Sequence, residues 1–143
     1  MNNIFQKIGG APTLKKLVDV FYHNMDSLPQ AQSIRAMHPK SLRIAKEKLF
    51  MFLSGYFGGE NLYVEKYGHP RLRQRHLPFE IGTDEANQWL LCMEKALVAV
   101  IDDEQTRKEM MTYFTTAAMH IRNKSETKDI GLKINIANSK QND

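Results

Sequence analysis

The chain has 143 residues, 42% of them hydrophobic, which suits one domain with a single core, and no apolar run long enough to span a bilayer. Its formal net charge of +4 is a mild excess, too small to argue for nucleic acid as a partner. The one cysteine, Cys92, excludes an intramolecular disulfide and any multi-cysteine metal site, and MNNIFQKIGG lacks the basic start and long apolar run of a secretory signal. A soluble cytoplasmic protein with neither nucleic-acid nor membrane partners is expected.

Taken in chain order, Gly9-Gly10 permits a sharp turn and Pro12 suits a helix start. Leu14, Leu17, Val18, Phe21, Tyr22 and Met25 then recur at helical spacing, predicting a helix over 12–25 that Leu28-Pro29 ends. Pro39 is expected to open the next helix, in which Leu49, Phe52, Leu53 and Tyr56 share a face and Gly58-Gly59 closes the element. A third helix is predicted from Thr83, with Asp84 and Glu85 in its first turn and Trp89, Met93, Ala96, Leu97 and Val100 on one stripe. Asp102 or Asp103 caps a fourth, carrying Met110, Phe114, Ala117, Ala118 and Ile121. Past Arg122 the composition becomes polar, so the chain divides into a globular domain over 1–123 and a loose tail over 124–143.

The reading is all-α with one anomaly. Residues 60–82 join two strong helices and show little period of their own. Connections that long inside a compact domain are usually disordered or functional. This one holds aromatics, His69, His76 and the dense charge of Arg71, Arg73 and Arg75, which is not a disordered composition. A segment organised by a ligand is the better reading.

His76 is the sharpest residue in it, because neutral imidazole offers a lone pair to a metal. On spacing alone, a lone histidine beside proline is more often a hydrogen-bonded structural residue. Turn chemistry at Gly68 and Pro70 accounts for His69. The five histidines, at 23, 38, 69, 76 and 120, are scattered without HExxH or CxxC, which argues against zinc. No GxGxxG, phosphate loop or GxSxG elbow occurs. Cys92 reads as a small core residue. Tyr22 and Trp89 read first as core aromatics, yet each carries a donor that needs a partner when buried. The arginines read as a solvated face, or as partners for the carboxylates of a cofactor.

At this point a family resemblance enters. IGG near the start, FY at 21–22, LPQAQSIRAMHP through 39 and MFLSGYFGG at 51–59 occur in order, followed by YGHPRLRQRHLPFEIG and QWLLCMEKAL. In this order and spacing they resemble the group II truncated haemoglobins, from about Ile8 to Arg122. The resemblance implies a short two-over-two helical globin sandwich enclosing haem b. It makes His76 the proximal iron ligand, and Tyr22 and Trp89 the donors that reach the ligand from the distal side. His38 falls at the pocket edge. Either it or Tyr22 is the internal sixth ligand should the pocket collapse. Ala45 and Leu49 face the ligand, Leu49, Phe52, Leu53, Phe79, Trp89 and Met93 contact the macrocycle, and Arg75, with Tyr63, reaches the propionates.

The function so implied is binding of O2, CO, NO or similar small molecules by a monomer or weak homodimer. No catalytic residue is assigned. Turnover at the same iron, as NO dioxygenation or peroxidase-like oxidation, is the alternative, and nothing resembles a reductase domain, so electrons would come from a separate reductase or a small reductant. A haem-free helical module whose arginines bind anions is a distant third, because it leaves His76, Tyr22 and Trp89 unexplained as a set.

Overall fold

Gly9 and Gly10 take φ values of +102° and +77°, a backbone that residues with a Cβ disfavour, and they turn the chain from α1 (Ile4–Lys7) into α2 (Ala11–Ser27). Pro12 sits in the first turn of α2, where its missing N–H costs nothing. The computed structural model describes residues 3–123, so the tail expected over 124–143 lies outside the described residues. After a 3-10 turn at Pro29–Ala31 come α3 (Gln32–Ala36), α4 (Arg43–Tyr56), α5 (Leu62–Tyr67) and α6 (Leu72–His76). The last two are α7 (Thr83–Val100) and α8 (Glu104–His120).

The strongly periodic stretches form the long helices. The predicted start at Thr83 is observed, with Glu85 accepting from the Gly82 N–H at 2.8 Å. Asp103 is the cap of α8, accepting from the Thr106 N–H at 2.9 Å and the Thr106 hydroxyl at 2.6 Å. Gly58, at φ +104°, ends α4 as expected.

Two expectations are corrected. Pro39 does not open a helix. Pro29 opens the 3-10 turn leading into α3, while 39–42 stays non-helical. The Arg35 guanidinium donates to the carbonyls of Pro39 (3.0 Å) and Lys40 (2.9 Å) and pairs with Asp26 (2.8 Å), holding that crossing open. The connection over 60–82, expected without period, contains α5 and α6. Five or six residues make fewer than two turns, too few for an apolar period to register.

The architecture is two-over-two: α2 with α4, α7 with α8, and the broad contact of α2 with α7 joining the pairs. Their apolar stripes meet in one core, where Leu14, Phe21, Leu53, Met93, Leu97 and Phe114 are all at most 1% exposed. Removing such surface from water is the main stabilising term. Cys92 lies in this core as expected, and burial pushes its thiol up to about 11, which leaves it inert.

Candidate functional site

The site grows from α6, a helix of five residues with none buried. His76 ends it, half-buried, with Nδ1 2.7 Å from the Leu72 carbonyl one turn earlier. A carbonyl only accepts, so Nδ1 carries the proton and the neutral ring keeps its lone pair at Nε2. That bond also fixes the ring's orientation, as backbone acceptors do for metal-ligating histidines. Leu77 and Phe79, within three residues of it in the chain, leave 46% and 41% of their area exposed.

A second group forms around Phe21. Its ring centroid lies 4.8 Å from those of both Tyr22 and Trp89, so α2 and α7 bring the two donors to one aromatic hub. Burial pushes the Tyr22 hydroxyl well above the usual phenol range, which keeps it protonated and a donor. Among the described residues, neither that hydroxyl nor the Trp89 indole N–H has a hydrogen-bond partner. Neither donor atom is sealed from its surroundings, Trp89 being only half-buried, so both are open to a ligand.

His38 stands beside Tyr22, ring centroids 5.9 Å apart. Its Nδ1 is 2.8 Å from the Ile34 carbonyl, so its Nε2 lone pair is also free. The Ile34 N–H in turn donates to the Gln88 side chain at 3.2 Å, so α7 orients His38 as well as presenting Trp89. Burial holds the His38 pKa below its ordinary value, with the charges of Arg35 and His76 adding to that and the bond to Ile34 opposing it.

Ala45, Leu49 and Phe52 are half-buried along α4, whereas Leu53 and Met93 are closed into the core at 1% and 0% exposure. Tyr63 is buried, with Phe52 edge-on to it at 6.3 Å and the Arg75 guanidinium 5.6 Å above its ring. Arg75 also donates to the His69 carbonyl at 3.3 Å. The three arginines therefore separate. Arg73 donates to the carbonyls of His120 (2.9 Å) and Arg122 (2.8 Å) at the end of α8, and Arg71, at φ +46°, donates to Gln74 at 3.4 Å. They do not converge on a phosphate-sized cradle.

Gln88 and Asn123, which tie the site's segments together, escape a reading of the sequence. Their roles rest on hydrogen bonds between distant residues, and neither breaks a local pattern.

This set fits haem. Among the described residues no three His, Cys, Asp or Glu side chains gather to hold a metal, so a metal at His76 takes its further ligands from a cofactor. Exposed apolar side chains next to His76, donors without a partner and the Arg75 guanidinium are the chemistry that a flat hydrophobic disc bearing carboxylates would call for. Among the described residues no helix is long and apolar enough to cross a membrane.

Comparison with known proteins agrees. Residues 3–123 match the family model described as bacterial-like globin. The chain is 37% identical over 120 residues to group 2 truncated hemoglobin YjbI of Bacillus subtilis, covering 84% of this chain and 89% of that one. The group II 2-on-2 hemoglobin of Agrobacterium tumefaciens superposes with a TM-score of 0.85 at 38% identity, covering 87% of this chain and 97% of the other. A truncated haemoglobin of Bacillus subtilis described as oxygen-avid superposes at 0.77 with 37% identity, covering 85% and 100%.

Proposed function

The chain belongs to the bacterial-like globins as a group II truncated haemoglobin, and from that membership we propose that it binds haem b through His76 and takes up O2 and related diatomic molecules. Haem, held by His76, would supply an iron able to take up such molecules reversibly. The observation that supports the reading is the His76 imidazole, whose Nδ1 is held by the Leu72 carbonyl, which leaves the Nε2 lone pair free for a metal. Non-covalent haem b is the form assigned, since the single cysteine is buried in the core and offers no thioether link.

Tyr22 and Trp89 would offer their donor hydrogens to the bound diatomic molecule, and so stabilise the partial negative charge it would acquire. In a pocket poor in water such hydrogen bonds count for more than at the surface. They slow ligand escape and favour retention over bulk transport. Ala45 is small and cannot donate, so it neither closes the pocket nor substitutes for the two donors. His38 supports Tyr22 or, in a collapsed pocket, supplies the sixth ligand through its free Nε2. Arg75, stacked over Tyr63, meets the carboxylates at the rim.

NO dioxygenation or peroxidase-like oxidation is the second reading. The paired donors favour it, because a retained ligand has time to react. Electrons then come from a separate reductase or a small reductant. The cytoplasm is the assigned compartment.

Purified protein is expected to be red, with a Soret band and shifted spectra on adding O2 or CO. His76→Ala is expected to lose or severely weaken haem. A colourless protein that refuses added haem sinks the proposal.

A further inference from the structure

The segment that carries His76 has almost no apolar anchorage of its own. Helix α6 is one turn and a half long, buries none of its five residues, and is too short to be stable alone. Leu77 and Phe79, next in the chain, are 46% and 41% exposed. Something other than core packing must hold it in place.

Polar ties to the end of α8 do so. The Asn123 side-chain amide donates from Nδ2 to the His76 carbonyl at 3.1 Å, while its Oδ1 accepts from the Ile81 N–H at 3.0 Å. Its own backbone N–H donates to the Ile81 carbonyl at 2.8 Å. Arg73, one turn before His76, donates to the carbonyls of His120 and Arg122 at 2.9 and 2.8 Å. Arg122 adds a bond to the Thr83 hydroxyl at 2.9 Å, where α7 begins. Helix α8 is itself rooted in the core through Met110, Phe114 and Ala118.

Resting on the haem reading above, we propose that Asn123 is a positioning residue for the proximal histidine, transmitting the placement of α8 to the imidazole through the His76 carbonyl. The imidazole is fixed to α6 by the bond from Nδ1 to the Leu72 carbonyl, and α6 is fixed by Arg73 to the last residue of α8 and by Asn123 to the segment that follows it. The ring's placement is thus inherited, through backbone carbonyls, from α8 and the residues that follow it. Displacement of the last turn of α8 changes the proximal bond, and through it the affinity for the distal ligand.

The test uses the full-length, haem-loaded chain as wild type, Asn123→Ala and Asn123→Asp. Aspartate keeps an oxygen for Ile81 but replaces the donor to His76 by a second acceptor. The iron–histidine stretching vibration of the ferrous, ligand-free protein reports the proximal bond, and transfer of haem to excess apomyoglobin reports retention. Both variants are expected to shift the vibration and to lose haem about fivefold to tenfold faster, as for one or two lost hydrogen bonds, with unchanged helical circular dichroism. Unchanged vibration and retention in both variants overturn the proposal. So does an effect in Asn123→Ala that is absent in Asn123→Asp, because it assigns the role to the Ile81 pairing rather than to the His76 carbonyl. If the wild type takes up no haem, the functional reading fails separately. Amide exchange in the haem-free chain then decides the tie: faster exchange across 76–81 in both variants supports it, and unchanged exchange overturns it.

Discussion

At the scale of single residues, the site separates side chains that make a bond from those that only fill space. Tyr22 and Trp89 pack against Phe21, and among the described residues their donor atoms have no protein partner. Tyr22→Phe removes one donor at almost constant volume, and O2 dissociation is expected to speed up about fivefold to tenfold by stopped-flow ligand replacement. Trp89→Phe is expected to act in the same direction, and the double variant to exceed either single one if both donors reach the same ligand. His38 provides a pH test. Its folded pKa lies below the ordinary histidine value, chiefly through burial, so between the two values the unfolded chain binds more protons. The stability it contributes is therefore present above about pH 6.5 and lost as pH falls from there through the folded pKa. Urea denaturation of wild type and His38→Gln from pH 7.5 to 5 checks this: the variant is expected to show the flatter dependence.

At the scale of elements, turns and caps decide where the helices stop. Gly58 leaves α4 at φ +104°, and a Cβ there would meet the Asn3 side chain, which itself donates to the Gly58 carbonyl at 3.0 Å. Gly58→Ala is expected to cost roughly 1–3 kcal/mol in chemical denaturation, from backbone strain and the displaced Asn3 contact. The long helices were legible because each repeats its apolar stripe over three or more turns and carries a recognisable boundary residue, as Thr83 and Asp103 do. Helices α3, α5 and α6 were not legible. They are five or six residues long, and their position follows from bonds such as Arg35 to Pro39 and Arg73 to His120, made with residues the local sequence does not specify. The expectation that Pro39 begins a helix failed for the same reason: local turn chemistry is permissive, and a guanidinium from α3 chose between its outcomes.

At the scale of the molecule, Phe21 joins stability to function. It is fully buried between Tyr22 and Trp89, while Trp89 also contacts Phe114 of α8 at 5.6 Å. Phe21→Ala is expected to destabilise the fold by about 3–5 kcal/mol and to loosen both distal donors together. Faster ligand release beyond that of Tyr22→Phe, in protein still folded at low temperature, checks the second effect. The sequence by itself determined the four long helices, the buried stripes that pair them and, through its ordered motifs, the family and the cofactor. Those features are encoded by periods and spacings along one stretch of chain. Only the tertiary structure decided that Arg73 turns to the end of α8 while Arg75 covers Tyr63, that Gln88 orients His38 through Ile34, and that Asn123 holds the His76 carbonyl. A long polar side chain can reach many acceptors. Which one it takes is fixed only when the core has packed and set the distances between segments far apart in the chain.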